Sequence, residues 1–526
     1  MKEKADLIIK NATIYTVDNT FTMARTLVVG NGKILAVGGD ELAQKYTASQ
    51  VIDANGAYVY PGFYDAHCHF LSYGLSKLQR ADLVGTKSFD EVLERVAAHA
   101  AKSDAGWIEG RGWDQNDWEV KAFPDRKKLD VLFPDRPVNL TRIDGHAALV
   151  NGEALRRAGI TADTKVVGGE VLLIDGEPSG ILIDNAIELV SEQIPENSPE
   201  LQSAALIKAQ EDCFRVGLTS VMDAGLPVSD IMIIDSLQKQ GEMKMRINAM
   251  LTPMDSNYLN FMKRGHYRTD RLHVNSVKLY ADGALGSRGA CMIEPYSDDA
   301  GNHGLIMYPE AYYREVIEHA IEYDFQVNTH AIGDSGNRFI LDLYAEYLQG
   351  PNDRRWRVEH AQILHPDDFE KFGAYNIIPS VQSTHCTSDM YWAVDRVGPE
   401  RIKGAYAWQK LLEQNGWLPN GTDFPIEDIS PLKTYYAAVS RKDLEGYPEG
   451  GFQPEEGLDR EEALRSITIW AAKGAFEENE KGSLEVGKLA DLVILDKDIM
   501  NIPEAEIPGA KVLYTIVNGE TVFDGR

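Results

Sequence analysis

Basic residues are scarce in this chain of 526 residues: 53 Lys and Arg face 81 Asp and Glu, a net charge of −28. Nucleic acids and anionic membranes are bound by neutralising phosphates, so this deficit argues against both as partners and is read as a solvated acidic surface. Cysteine is rarer still. The four present, Cys68, Cys213, Cys291 and Cys386, are scattered without a CxxC pair. Neither a disulfide framework nor a thiolate zinc site is indicated, and all four read as buried thiols. Long apolar runs are missing as well: none approaches the roughly 20 residues that span a bilayer. The opening "MKEKADLIIKNATIYTVDNT" interrupts its apolar stretch at Lys10 and Asn11, unlike a secretory leader. The chain is therefore expected in the cytoplasm, with a small-molecule substrate as its partner. Association into a homo-oligomer stays open, because no interface is readable.

What is present fits a soluble globular protein, with 44% hydrophobic and 25% charged residues. The length accommodates a barrel-sized unit plus a smaller domain. Both ends are rich in short alternating strands. "DLIIKNATIYTV", "TLVVGNGKILAVG" and "AYVYPGF" at the front resemble "GSLEVGKLADLVILDKD" and "KVLYTIVNGETVFDG" at the back, with Asn-Gly turns at 31–32, 55–56 and 518–519. These ends predict one small β-sandwich assembled from residues 1–60 and 481–526.

Between them, eight apolar runs recur, each followed by a polar cluster and a helical pattern: 62–69, 217–225, 245–251, 276–283, 326–333, 356–362, 377–382 and 416–424. That alternation predicts an α/β fold, a TIM-like (β/α)8 barrel over 61–480 with its active site at the C-terminal ends of the strands. The interval 70–216 far exceeds one crossover helix and is read as a large insertion after the first strand, placed over the barrel mouth. Within it, "GGEVLLIDGEPSGIL" reads as a hairpin. Trp107, Trp113 and Trp118 are either an aromatic wall for substrate or insertion core.

The first run ends in "GFYDAHCHF". In an extended strand Asp65, His67 and His69 share one face, giving two imidazoles and a carboxylate. Imidazole is a common zinc ligand, yet two histidines make half a site. Four more polar residues end predicted strands: Lys278 in the fourth, His330 in the fifth, His360 in the sixth and Asp423 in the eighth. A lone strand-end histidine is ordinarily a hydrogen-bonded structural residue. Six such groups in strand order point to a metal site, since buried charges and imidazoles at one spot otherwise lack partners. Asp65, deeper in the barrel, is expected to hydrogen-bond an imidazole rather than a metal.

"PGFYDAHCHF", "KLYADGALGSR", "NTHAIGD", "RVEHAQ" and "NGTDFP", together with "IDGHAALVN" and "SVQSTHCTSD", resemble the successive motifs of the amidohydrolase superfamily. Within it the chain is similar to the YtcJ-like amidohydrolases, the group related to N-substituted formamide deformylases. The resemblance covers nearly the whole chain and includes a β-sandwich from both termini. It implies a divalent metal cofactor, zinc first, as one or two ions: His67, His69 and Asp423 as ligands of one, His330 and His360 of a second. Lys278 would bridge them as a carbon dioxide-derived carbamate, because an ammonium repels cations and has no lone pair. A lysine paired with Asp282 is the plain alternative.

The same resemblance implies cleavage of a C–N bond in an amide or N-acyl group. A bound divalent ion acidifies water, and Asp423 takes a proton and returns it to the leaving nitrogen as general base and acid. A deaminase, a cyclic-amide hydrolase or a non-catalytic ligand-binding descendant are the alternatives. His146, His385 and Arg288 lie in motifs of this group and are candidates for substrate binding, with pairing to a surface acid as the plain alternative for Arg288 and a hydrogen-bonded structural role for the two histidines.

Overall fold

The computed structural model describes residues 2–103 and 105–526. Seven of the eight apolar runs become parallel strands paired in chain order: Phe63–Cys68, Leu218–Leu226, Arg246–Leu251, Leu272–Tyr280, Gln326–Ala331, Arg357–His360 and Ile378–Ser380. Their side chains are buried almost without interruption, as befits strands covered on both faces. Helices such as Val228–Gln240, Glu310–Glu322 and Asp334–Leu348 return the chain over the outside. Together they form a TIM-like (β/α)8 barrel.

The eighth run forms no regular strand, since Pro419 lacks an N–H and Asp423 has φ of 60°. It closes the cylinder by other means. Asn420 bridges Val381 on one side. On the other, the Asp423 N–H donates to His67 O at 2.8 Å and the His69 N–H to Phe424 O at 2.8 Å. Asp65 completes this seam, which corrects the expectation that it bonds an imidazole. Its Oδ1 accepts from the backbone N–H of His67 at 3.1 Å and of Thr422 at 3.0 Å, and its Oδ2 from the Thr422 hydroxyl at 2.6 Å. A carboxylate thus replaces missing strand-to-strand bonds, and burial pushes its pKa up to about 7.

The two termini meet as the sequence suggests. One six-stranded sheet joins Tyr58–Pro61 and Thr13–Tyr15 to Leu492–Leu495, Val512–Val517 and Glu520–Asp524, and a four-stranded sheet of N-terminal strands packs on it. Leu7, Leu27 and Ile34 of one sheet share a core with Val59, Leu492 and Ile516 of the other. The insertion builds its own six-stranded sheet, which includes the hairpin Gly169–Ile174 and Glu177–Asp184. Trp113 and Trp118 pack in one of its cores and Trp107 in another, so all three are core. Glycine fixes one close approach beneath it: a Cβ at Gly74, in the helix Phe70–Gln79, would lie 2.0 Å from the Ala205 carbonyl of the helix Pro199–Arg215. Among the described residues, no helix is long and apolar enough to cross a membrane.

Candidate active site

The first barrel strand ends at Cys68, and His69 stands at its junction with the following helix. Asp223, from the second strand, accepts the N–H groups of Phe70 at 3.1 Å and Leu71 at 3.4 Å, satisfying orphan donors of the helix start. His69 is thereby fixed at the mouth, its ring centroid 5.7 Å from that of His67. Asp423 arrives from the closing segment. Its Oδ1 lies 3.3 Å from His69 Nε2 and 3.6 Å from His67 Nε2, and its Oδ2 lies 3.2 Å from His385 Nε2. Donor atoms of His67, His69 and Asp423 all fall within 4.8 Å of one another, and so do those of His360, His385 and Asp423. Two donor sets therefore share one carboxylate.

Burial and charge set the protonation of this cluster. His67 is pushed down to about 4, first by burial and then by the Lys278 charge, against the pull of Glu359. Burial also holds His330 and His360 well below the usual histidine value. All three are neutral imidazoles near pH 7, the form that carries a lone pair. For Asp423 burial works upward, but it is outweighed, first by the hydrogen bond from His385, and the carboxylate is held well below its ordinary value. His67 Nδ1 meets Glu359 Oε2 at 2.5 Å, and Arg357 Nε donates to the other Glu359 oxygen at 2.6 Å. With Nδ1 engaged, His67 turns the lone pair of Nε2 to Asp423.

The atoms left over show what this cluster lacks. Asp423 Oδ1 and His360 Nδ1 are buried without a hydrogen-bond partner. Acceptors facing acceptors repel, so the set fits a divalent cation, with imidazole and carboxylate as its ligands. Both residues are also held at positive φ, 71° for His360 and 60° for Asp423. Such strain in non-glycine residues clusters at functional sites.

Lys278 reaches into the same cluster, its Nζ 3.4 Å from His67 Nε2 and 4.6 Å from the Tyr280 ring centroid. Asp282 is not its partner: that carboxylate accepts the N–H groups of Cys291, Ile332 and Gly333 at 2.8, 3.0 and 2.8 Å. Burial, aided by Arg357 and opposed by Glu359 and Asp423, brings Lys278 down to about 8. His330 stands beside His360, ring centroids 4.5 Å apart, with its Nε2 3.2 Å from the Gly283 carbonyl.

Of the three residues expected to bind substrate, two line the cavity and one does not. His146 descends from the insertion to within 5.0 Å of His330, centroid to centroid, its Nδ1 2.7 Å from Asp184 Oδ1. Burial opposes its charge, but Asp184 and Asp144 prevail and raise its pKa. Glycines at 283 and 289 make room, since a Cβ there would lie 2.5 or 2.4 Å from the Asp184 carboxylate. His385 touches Asp423 and, through Nδ1, Glu427 at 3.1 Å. Arg288 is the correction. Its guanidinium pairs with Asp298 at 2.8 and 3.2 Å and is not among the residues that line the cavity. Glu359, Glu427 and Asp184 were not found from sequence. Glu359 left a signal, since Arg357 and Glu359 alternate on one face of a buried strand whose other residues are Val358 and His360.

The cavity over this cluster measures about 740 Å³, and insertion residues such as Arg111, Arg142 and Asp144 form its far wall. The model of the amidohydrolase family (Amidohydro_3) matches residues 50–523. The chain belongs to the amidohydrolase family. This amidohydrolase is 35% identical over 541 residues to Protein LONG AFTER FAR-RED 3 of Arabidopsis thaliana, covering 99% of this chain and 92% of that one. It is 31% identical to the putative amidohydrolase YtcJ of Bacillus subtilis (97% and 98% covered) and 26% to an N-substituted formamide deformylase of Arthrobacter pascens (99% and 98%). An uncharacterised metal-dependent hydrolase from Pyrococcus horikoshii superposes with a TM-score of 0.77 at 29% identity, over 95% of this chain and 99% of that one. The chain is thus a hydrolase acting on carbon–nitrogen bonds in a metal-dependent family.

Proposed function

We propose that this amidohydrolase cleaves a linear amide or N-acyl group, with Asp423 moving the proton. The observation that carries this reading is the Asp423 carboxylate: Oδ1 buried, unpartnered and facing two imidazole nitrogens, Oδ2 held by His385. His67, His69 and Asp423 would hold one divalent cation, zinc first, given the ligand types. His360, with His330 alongside, would hold a second, and Lys278 as a carbamate would reach both. The depressed pKa of Lys278 supports that modification, because only the neutral amine attacks carbon dioxide. When bound, such a cation polarises a carbonyl and brings the pKa of water to about 7.

The chain's own residues do the rest. Asp423, ionised and steered by His385, accepts the proton of the attacking water and passes it to the departing nitrogen. His146, charged and fixed by Asp184, donates to the carbonyl oxygen as negative charge grows there. Glu359 keeps His67 in the required tautomer.

The test is elemental analysis of purified protein combined with hydrolysis of a panel of N-acyl and N-formyl amines before and after chelation. A carboxylate and a free amine should appear together, and chelation should stop both. Activity surviving complete metal removal, or ammonia released from a ring, would overturn the reading.

A further inference from the structure

Arg111 lies in the insertion strand Ile108–Trp113 and lines the cavity, its guanidinium beside Gly145, next in the chain to His146. Its Nη2 donates to the Ile143 carbonyl at 3.1 Å, and its Nε is buried without a partner. Among the described residues no carboxylate pairs with it. Asp144, whose charge it feels, is already engaged: Oδ2 by Arg142 at 2.6 Å, Oδ1 by the His146 N–H at 3.0 Å. Arg80 lines the same wall, only loosely paired with Glu109 at 3.4 Å, and its charge opposes that of Arg111. Of the three guanidiniums that line the cavity, Arg142 is held by Asp114 and Asp144 and Arg80 by Glu109, whereas Arg111 has no carboxylate within ion-pair distance among the described residues, a buried charge that is costly until an anion arrives.

We propose that the cavity takes a substrate bearing a carboxylate, which docks on Arg111 with Arg80 beside it, so that the scissile amide belongs to an N-acyl amino acid or similar acid. This deepens the hydrolase reading above and rests on it. The planar guanidinium fork matches a carboxylate in a way a lysine ammonium does not. A site built to pair with a charge also rejects the analogue that lacks it, because its own group is then left unpaired.

Calorimetric titration of the metal-loaded protein with phenylacetate and its uncharged, non-hydrolysable analogue 2-phenylethanol tests the docking without any reaction. The ratio of the two affinities should fall about 10-fold or more in Arg111→Met, with Arg111→Lys between. The ratio of kcat/KM for N-acetylphenylalanine to that for N-acetylphenethylamine should fall alongside, mainly through KM. A misfolded or loosened variant would lower both members of each ratio together and leave the ratios unchanged. Unchanged ratios in a variant that keeps its affinity for the uncharged analogue, or wild-type protein that does not prefer the carboxylate, overturn the proposal. If neither amide is cleaved while the affinity ratio behaves as stated, the anion site stands and the hydrolytic reading fails instead.

Discussion

The two ends of the barrel bury charge under opposite rules. At the N-terminal ends of the strands, Glu477 accepts from Tyr64 and Lys481 at 2.8 Å each and from His273 at 3.3 Å. Beside it Arg246 grips Asp491 with two nitrogens, at 2.5 and 3.1 Å. Each charge there meets its complement. At the C-terminal ends, Asp423 Oδ1 and His360 Nδ1 have no partner, Lys278 touches an imidazole instead of a carboxylate, and Arg111 waits on the cavity wall. Satisfied buried pairs rigidify, whereas unsatisfied ones mark where a cation or substrate completes the set. This agrees with the rule that the bottom of such a barrel serves stability and the top chemistry.

The contrast can be broken by substitutions at either end. Asp423→Asn should lower kcat about 10²- to 10⁴-fold, the share of general acid–base catalysis, while the melting temperature holds. Steady-state kinetics read beside metal content would check it, and unaltered kcat would remove Asp423 from the chemistry. Arg246→Met, at the other end, should cost about 3–5 kcal/mol in denaturant unfolding, because Asp491 is left buried and uncompensated, with kcat intact. The sign of its pH dependence follows. Burial raises Asp491 but Arg246 outweighs it, so its pKa sits below the ordinary 3.8. The stability it confers is fully present above that value and is lost as pH falls through the folded pKa. Arg246→Met should flatten that acid limb.

Lys278→Met should abolish activity yet stabilise the metal-free protein by about 1–3 kcal/mol, since it removes a buried cation. Here the sign reverses. With a folded pKa near 8 against 10.5, Lys278 imposes a penalty that is full below 8 and vanishes as pH rises toward 10.5. Melting curves of chelated wild type and variant should converge at the alkaline end, and parallel curves would contradict the assigned shift. Glu427→Gln carries the smallest effect, a few-fold to about 10-fold loss of kcat, as His385 loses one of its two carboxylate partners. An effect larger than that of Asp423→Asn would make Glu427 the primary proton acceptor.

Much of this was legible because strand periodicity and motif order are local. His67 and His69 announce themselves in nine residues, and His330, His360 and Lys278 each end an apolar run. The regularity of the eighth strand was misread, because apolar content alone does not reveal that Pro419 and the backbone at Asp423 break the pairing. Asp65 was misassigned for a related reason: its partner, Thr422, lies 357 residues away. Arg288 shows the limit most plainly. Its motif placed it near the site, but Asp298, ten residues on, captures it.

Sequence by itself determined the barrel and the sandwich from both ends and put forward the candidate donors, since burial pattern and residue chemistry are properties of short stretches. The tertiary structure decided which atoms are left unpaired. Pairing depends on distances between groups hundreds of residues apart, and only closure of the cylinder sets Asp423 between His67, His69 and His385, or leaves Arg111 facing open space.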